Sequence, residues 1–152
     1  MRSPLTLARR VPAREIPAVL AAATVALVVE VGLRVTTLPR LARLLGAPLR
    51  LEGEAGTSPG KTPILLAPSS MRRLRAARRV MRHWPFGDTC LRVALVSGQR
   101  LRRLNPELRV GVARVDGNIQ AHAWLEIGGT SLDPAGSAVH LSFESLLGGK
   151  DA

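Results

Sequence analysis

The single cysteine of the chain, Cys90, lies where a thiol can act as a nucleophile. It follows Asp88-Thr89, a pair that favours a helix N-terminus, and it precedes an apolar segment of helical period. The unpaired N–H groups and the dipole of such a terminus stabilise a thiolate, the form of cysteine that attacks carbonyl carbon. The same position also suits a buried and unreactive cysteine, so Cys90 alone does not indicate an enzyme.

A histidine lies on a strand predicted over 119–127. Alternation of side chains places His122, Trp124 and Glu126 on one face of that strand and the small or aliphatic residues on the other. The histidine therefore shares its face with a large aromatic ring, which is a candidate substrate contact. A histidine on a strand is by itself more often a packed or exposed residue than a catalytic base.

The turn that follows this strand brings an aspartate close to the histidine. Two glycines after Ile127 predict a tight turn that pairs Ile127 with Thr130. The same register places Asp133 opposite Trp124 and diagonal to His122, within reach across the two strands. A cysteine protease needs a base that takes the thiol proton and a third group that fixes the tautomer of that base. The sequence thus predicts a triad of the cysteine, the histidine and the aspartate.

The elements that would hold this triad are helices first and strands afterwards. Helical patterns with capping signals occupy three segments: 18–46, with a break near Pro39, 69–83 and 89–104. Short β-rich runs separated by tight turns occupy three more: 109–115, 119–127 and 130–133. The fold class is therefore predicted as α+β, with N-terminal helices, a helix that carries the nucleophile and a small antiparallel sheet.

With 152 residues, the chain suffices for one hydrophobic core and seldom for two. We predict a single domain over 1–152 with three regions. These are a helical region over 1–50, a flexible loop rich in glycine, serine and proline over 51–62, and a catalytic core over 63–152. A last short helix is predicted at 142–147.

The formal net charge is +11, almost all of it from arginine. On the helix predicted over 69–83, arginines gather on one side and apolar residues on the other. A non-enzymatic alternative, a basic module that binds nucleic acid or an acidic membrane, explains this charge but not the triad. We favour a solvated arginine face, because charge runs on helices are usually of this kind, and we therefore predict no nucleic-acid partner.

The segment 16–29 is apolar and follows several arginines, as in a signal peptide. Pro17 interrupts it, Glu30 ends it short of the roughly 20 residues that cross a bilayer, and no small-residue cleavage site follows. We predict a buried helix here, with membrane contact as the less favoured interpretation. One cysteine cannot form an intramolecular disulfide, so the predicted location is the reducing cytoplasm.

Neither a metal site nor a cofactor site is predicted. His83, His122 and His140 have no ligand spacing with the lone cysteine. The segment 53–62 ends in Gly-Lys-Thr, but its glycines are wrongly spaced for a phosphate-binding loop and the residues before it make a poor strand.

Three stretches carry a resemblance to a known family. They are Asp88-Thr89-Cys90-Leu91-Arg92-Val93-Ala94-Leu95, the strand 108–112 and Ala121-His122-Ala123-Trp124-Leu125-Glu126. Over about residues 80–135 the chain resembles the transglutaminase-like cysteine peptidases of lasso-peptide biosynthesis, and the helical segment 38–46 is similar to their upstream region. The Cys-Leu and His-Ala-Trp elements are the most specific parts of the match.

The resemblance implies a papain/transglutaminase-like core in which Cys90 is the nucleophile, His122 the general base and acid, and Asp133 the orienting carboxylate. It further implies that the protein removes the leader of a lasso-peptide precursor before a lasso cyclase closes the ring. The N-terminal part shows no β-rich leader-recognition module, so the chain resembles the split form, which relies on a separate leader-recognition protein.

The chain departs from the family pattern after the cysteine, where Arg92-Val93-Ala94 replaces a commonly found serine. This departure touches no triad position. The backbone N–H of Cys90 is one candidate oxyanion donor, and the sequence assigns no second one. A thiol acyltransferase or transglutaminase-like enzyme would show the same triad. The triad residues do not indicate whether water or an amine attacks the acyl-enzyme.

Overall fold

The computed structural model describes residues 12–51, 65–115, 118–132 and 139–140. Within them, four helices precede all but one of the strands of a small sheet, which confirms the predicted α+β class. The predictions for residues 1–11, for most of the loop 51–62 and for a helix at 142–147 lie outside the described residues. The division into one domain with three regions stays a prediction.

Helix α1 spans Ile16–Val35, after a short 3-10 turn. Pro17 lies in its first turn, where a missing N–H breaks no helical hydrogen bond, so it helps to start the helix and does not interrupt it. The helix also continues past Glu30, which is buried. The prediction of a short, broken run was therefore wrong: Ala13–Val35 is 23 residues long and apolar enough to cross a membrane by length and composition, with 33% of its most apolar window buried.

Helix α2 spans Leu38–Leu44 and confirms the predicted break near Pro39, which lies in its first turn. Its end is closed by Gly46, whose φ of 78° is in the left-handed region. The N–H of Gly46 donates to the carbonyl of Arg43, and the N–H of Ala47 donates to that of Ala42. This pair of bonds is a Schellman cap, so the predicted role of Gly46 is confirmed.

Helix α3 spans Pro68–Arg82. The predicted N-cap, Ser69 or Ser70, was wrong: the N-cap is Ala67, two residues before Ser69, because Pro68 takes the first helical position. The predicted amphipathic character is confirmed, since the apolar side is buried and most arginines are not. The buried residues are Ser70, Leu74, Ala76, Ala77, Val80 and Met81.

Helix α4 spans Cys90–Arg100 and is followed by a 3-10 turn at Arg102–Leu104. The sequence predicted one continuous helix to Leu104, whereas the α-helix ends at Arg100. Asn105 then adopts φ 49°, and this left-handed residue redirects the chain into the sheet. The chain thus turns back at the end of α4.

The sheet contains the predicted meander of β2 (Glu107–Val115), β3 (Asn118–Ile127) and β4 (Thr130–Leu132). Both neighbouring pairs are antiparallel, and Ile127 pairs with Thr130 as predicted. Gly128 and Gly129 have φ values of 57° and 77°, which a two-residue hairpin turn of type I′ requires. The register that was predicted from these two glycines is therefore confirmed for the described pairs.

Two short strands complete the sheet along the other edge of β2. Strand β1 (Leu49–Leu51) pairs with β2 in parallel, and β5 (Val139–His140) pairs with it antiparallel. The sheet is therefore mixed and not purely antiparallel. Neither strand was predicted, because each is too short to show a sequence period.

The core lies between the helices and one face of the sheet. Leu108, Ala123 and Leu125 from the sheet join apolar residues of all four helices in one cluster. Gly98 marks the closest approach of α4, because a Cβ added there would lie 2.8 Å from Cβ of Ala47 and 3.2 Å from Cδ2 of Leu125. A glycine at this point lets the helix lie directly on β3.

Candidate active site

Cys90 is the first residue of α4, as the sequence predicts. Thr89 precedes it with extended backbone, and its carbonyl accepts the first helical hydrogen bond, from the N–H of Val93 at 3.0 Å. The N–H groups of the first turn have no partner inside a helix, so they and the helix dipole favour a negative charge at this place. Cys90 is half-buried and packs against the edge of the hydrophobic core.

A buried carboxylate ties the first turn of α4 to α1. Arg92 donates from Nε to Oε2 of Glu30 at 2.9 Å and from Nη2 to Oε1 at 3.4 Å. Arg34 adds a third contact to Oε1 at 3.1 Å. The hydrogen bond from Arg92 is the largest cause that holds the pKa of Glu30 below its usual range. This bidentate pair fixes the turn that carries Cys90 against the N-terminal helix.

Helix α1 also contacts the loop before α4. The guanidinium of Arg34 lies over the ring of Phe86, 5.1 Å from its centroid. The ring of Phe86 meets that of Trp84 edge to face, with 6.3 Å between centroids. Gly87 closes the turn with φ 89° and donates to the carbonyl of Trp84. Helix α1 thus orders both the approach to Cys90 and the turn that follows it.

Replacing Glu30 with glutamine is expected to change how stability depends on pH. A carboxyl with a lowered folded-state pKa contributes stability that is complete above its unfolded value, about 4.3, and is lost as the pH falls through its folded value. The melting temperature of the wild type should therefore fall more steeply than that of Glu30→Gln between about pH 5 and about pH 3.

The measurement is thermal unfolding followed by circular dichroism across that range. Glu15→Gln is the matched control, because it removes the carboxylate of a more exposed ion pair with Arg79, at 3.1 Å. It should change the slope less than Glu30→Gln does. Parallel curves for wild type and Glu30→Gln would contradict the assigned contribution.

His122 lies on β3 and exposes 4% of its surface, so it is a buried imidazole. Trp124, two residues further along the strand, exposes 6%, and the two rings are nearly parallel, with an interplanar angle of 17° and 6.1 Å between centroids. The predicted common face of these side chains is therefore observed. The indole lies beside the imidazole and restricts its orientation.

A buried guanidinium lies in the same region of the sheet. Arg109 on β2 pairs with Trp124 across the strands and exposes 6% of its surface. Its Nε lies 2.9 Å from Oε2 of Glu126, and its Nη2 lies 3.6 Å from Oε2 of Glu107. A buried charge needs partners of this kind, and together these residues hold the strand segment that carries the two rings.

Helix α4, which begins with Cys90, packs on β3, the strand that carries His122. Gly98 lies level with Leu125. Cys90 precedes Gly98 by about 12 Å of helix, and His122 precedes Leu125 by about 10 Å of strand.

Side chains alternate between the two faces of β3, as predicted. Ala123 and Leu125 face the core under α4, whereas Trp124 is buried without belonging to that cluster. His122 alternates with Ala123 and so follows Trp124. The juxtaposition of Cys90 with His122 stays a prediction. Asp133 lies outside the described residues, one position past the last residue of β4.

Sequence reasoning missed Glu30, Arg92 and Arg109 as supports of this region. Glu30 carried a usable signal, because a single carboxylate inside an otherwise apolar helical run has to find a partner. Arg92 and Arg109 gave no such signal, because the chain contains many other arginines. Among the described residues, no group of three or more histidine, cysteine, aspartate or glutamate side chains is placed to hold a metal ion.

The comparisons with known proteins agree with a thiol site. A family model described as the transglutaminase-like superfamily matches residues 7–147, nearly the whole chain. No curated protein and no solved structure matched the chain. The match includes α1 and continues beyond β5, so it covers the helices as well as the sheet. The chain therefore belongs to the transglutaminase-like superfamily, whose members are generally cysteine-protease-like enzymes.

Proposed function

We propose that the protein is a cysteine peptidase that removes the leader from a lasso-peptide precursor. The observation that carries the proposal is the position of Cys90 as the first residue of α4, a helix that packs on the strand where His122 lies buried. Family membership supports thiol chemistry of the protease or acyl-transfer type. The lasso-peptide role rests on the similarity of the Cys-Leu and His-Ala-Trp elements to those peptidases.

In the proposed reaction, the imidazole of His122 takes the proton of the Cys90 thiol, and the thiolate sulfur attacks the carbonyl carbon between leader and core. The N–H of Cys90 at the helix tip donates to the resulting oxyanion. His122 then protonates the departing amine of the core, which leaves the leader as a thioester on Cys90. Water attacks that thioester with His122 as base, and the leader leaves as a carboxylate.

Asp133 and Trp124 have supporting roles in this proposal. Asp133 holds the tautomer of His122 in which the nitrogen that faces the thiol is free to accept a proton. Trp124 was predicted as a substrate contact. Its burial and its ring contact with His122 favour an additional role in positioning the imidazole.

The proposed partners follow from the same assignment. The N-terminal region is described from Pro12 to Leu51 as helices and one short strand. It thus offers a helical surface and no small β-rich module, so a separate leader-recognition protein would present the precursor. A lasso cyclase would then use the freed amine, and such a sequence of reactions places the enzyme in the cytoplasm.

Mass spectrometry of the products tests the proposal. Purified protein is incubated with the cognate precursor and its recognition protein, and the masses of all peptide products are recorded. Leader and core that together weigh one water more than the precursor support hydrolysis. A product that carries an added amine in place of water would instead assign acyl transfer. Intact precursor under conditions where the recognition protein binds it would refute the peptidase assignment.

A further inference from the structure

Six large apolar side chains on α1 are exposed to solvent. Their exposed fractions are 43% for Ile16, 63% for Leu20, 57% for Leu27, 50% for Val28, 52% for Val31 and 75% for Val35. We call this set the apolar stripe. Its members follow one another at helical spacing along the full length of a 20-residue helix, about 30 Å long.

The apolar stripe lies opposite the face by which α1 joins the core. At 100° per residue, the six side chains fall within one sector, while Ala22, Ala26 and Val29 point the other way. Those three are buried at 0%, 2% and 1% exposure. Helix α1 is therefore apolar on both sides, with the core covering one of them. An exposed apolar surface of this length is typical of an interaction site.

The charge of the chain favours one occupant of the stripe. The net charge is +11, so a second copy that docked through the same face would bring two strongly cationic surfaces together. Several arginines near the stripe in sequence are exposed: Arg14 before it, Arg34 in its last turn, and Arg40 and Arg43 on α2. Apolar side chains beside arginines match the acyl chains and the phosphate groups of an anionic lipid surface.

We propose that the apolar stripe docks the protein on anionic membrane, with α1 lying in the plane of the interface. The helix lies on the bilayer and does not cross it, because its other face stays packed. Glu30 is 5% exposed and bound to Arg92 of α4, and a transmembrane α1 would have to break this ion pair in lipid. The sequence favoured a fully buried helix, whereas the exposed half of α1 now favours membrane contact. The inference does not depend on peptidase activity.

Co-sedimentation with lipid vesicles tests this inference. Vesicles made of equal parts phosphatidylcholine and phosphatidylglycerol should retain the wild type, and vesicles of phosphatidylcholine alone should retain at least tenfold less. The double variant Leu20→Asp with Leu27→Asp should bind the anionic vesicles at least tenfold more weakly. Raising the salt from about 0.05 M to about 0.5 M should weaken binding of the wild type.

Leu65→Asp is the matched control, because Leu65 is 97% exposed and lies outside the stripe. It should bind like the wild type. Circular dichroism should show the same helix content in all variants, since each substituted side chain is largely exposed. Equal binding of wild type and double variant to anionic vesicles would overturn the proposal. The binding would then be due only to attraction between the arginines and the anionic lipids. The wild type could instead fail to bind anionic vesicles and form a dimer that the double variant cannot form. That result would show that the apolar stripe contacts a second copy of the chain.

Discussion

Cys90→Ala is expected to lose precursor cleavage by about 10⁴-fold or more, because no other group can form the acyl-enzyme. The chain contains no second cysteine that could replace it. Cys90→Ser should be almost as inactive, since a hydroxyl gives far less nucleophilic anion at neutral pH than a thiol does. The measurement is single-turnover cleavage of the cognate precursor in the presence of its recognition protein.

Folding of the two cysteine variants should be close to that of the wild type. Cys90 is half-buried at a helix terminus, so removal of its sulfur leaves a small gap at the edge of the core. Arg103→Gln, an exposed position beyond the other end of α4, is the activity control and should cleave normally. Because Cys90 is the single cysteine, one equivalent of iodoacetamide should also inactivate the wild type. Wild-type cleavage by Cys90→Ala would exclude the thioester route.

Local signals were sufficient for the hairpin of β3 and β4 and for the start of the helix that carries Cys90. Two adjacent glycines between β3 and β4 specified a turn that requires positive φ at both positions, and this turn fixed the register of the hairpin. Asp88-Thr89 marked the start of α4, so Cys90 could be predicted to lie in its first turn. In each case the physical cause lies within a few residues of the feature.

Features that depend on distant contacts could not be predicted in this way. Strands β1 and β5 form by pairing with the free edge of β2. Neither is long enough to show a sequence period of its own. The pairing of Glu30 with Arg92 joins residues 62 positions apart. The exposure of half of α1 is likewise a tertiary property, since an all-apolar sequence does not reveal which face the core leaves uncovered.

The sequence also could not show which face of β3 packs against α4. Alternation predicted that His122 and Trp124 share a face, but it did not reveal that α4 packs on the other one through Leu125. The meeting of thiol and imidazole stays a prediction. The proposed triad is therefore tested most directly by asking whether His122 influences the reactivity of Cys90.

His122→Ala is expected to reduce cleavage by between about 10²-fold and about 10⁴-fold, the usual contribution of a general base. It should also slow alkylation of Cys90 by iodoacetamide at neutral pH, because the thiol loses the group that takes its proton. The difference in alkylation should shrink at alkaline pH, where bulk base deprotonates any thiol. Asp133→Asn should show the same two effects to a smaller extent, since it disturbs only the tautomer of the imidazole.

His83→Ala is the matched histidine control. His83 is exposed at the C-terminus of α3, where its Nδ1 lies 3.0 Å from the carbonyl oxygen of Arg79. Its removal should leave cleavage and alkylation unchanged. A His122→Ala protein that loses cleavage but alkylates like the wild type would show that the buried imidazole stabilises the sheet and does not act on the thiol. Because alkylation reports on Cys90 without any substrate, this outcome separates failure of the triad from failure to recognise the precursor.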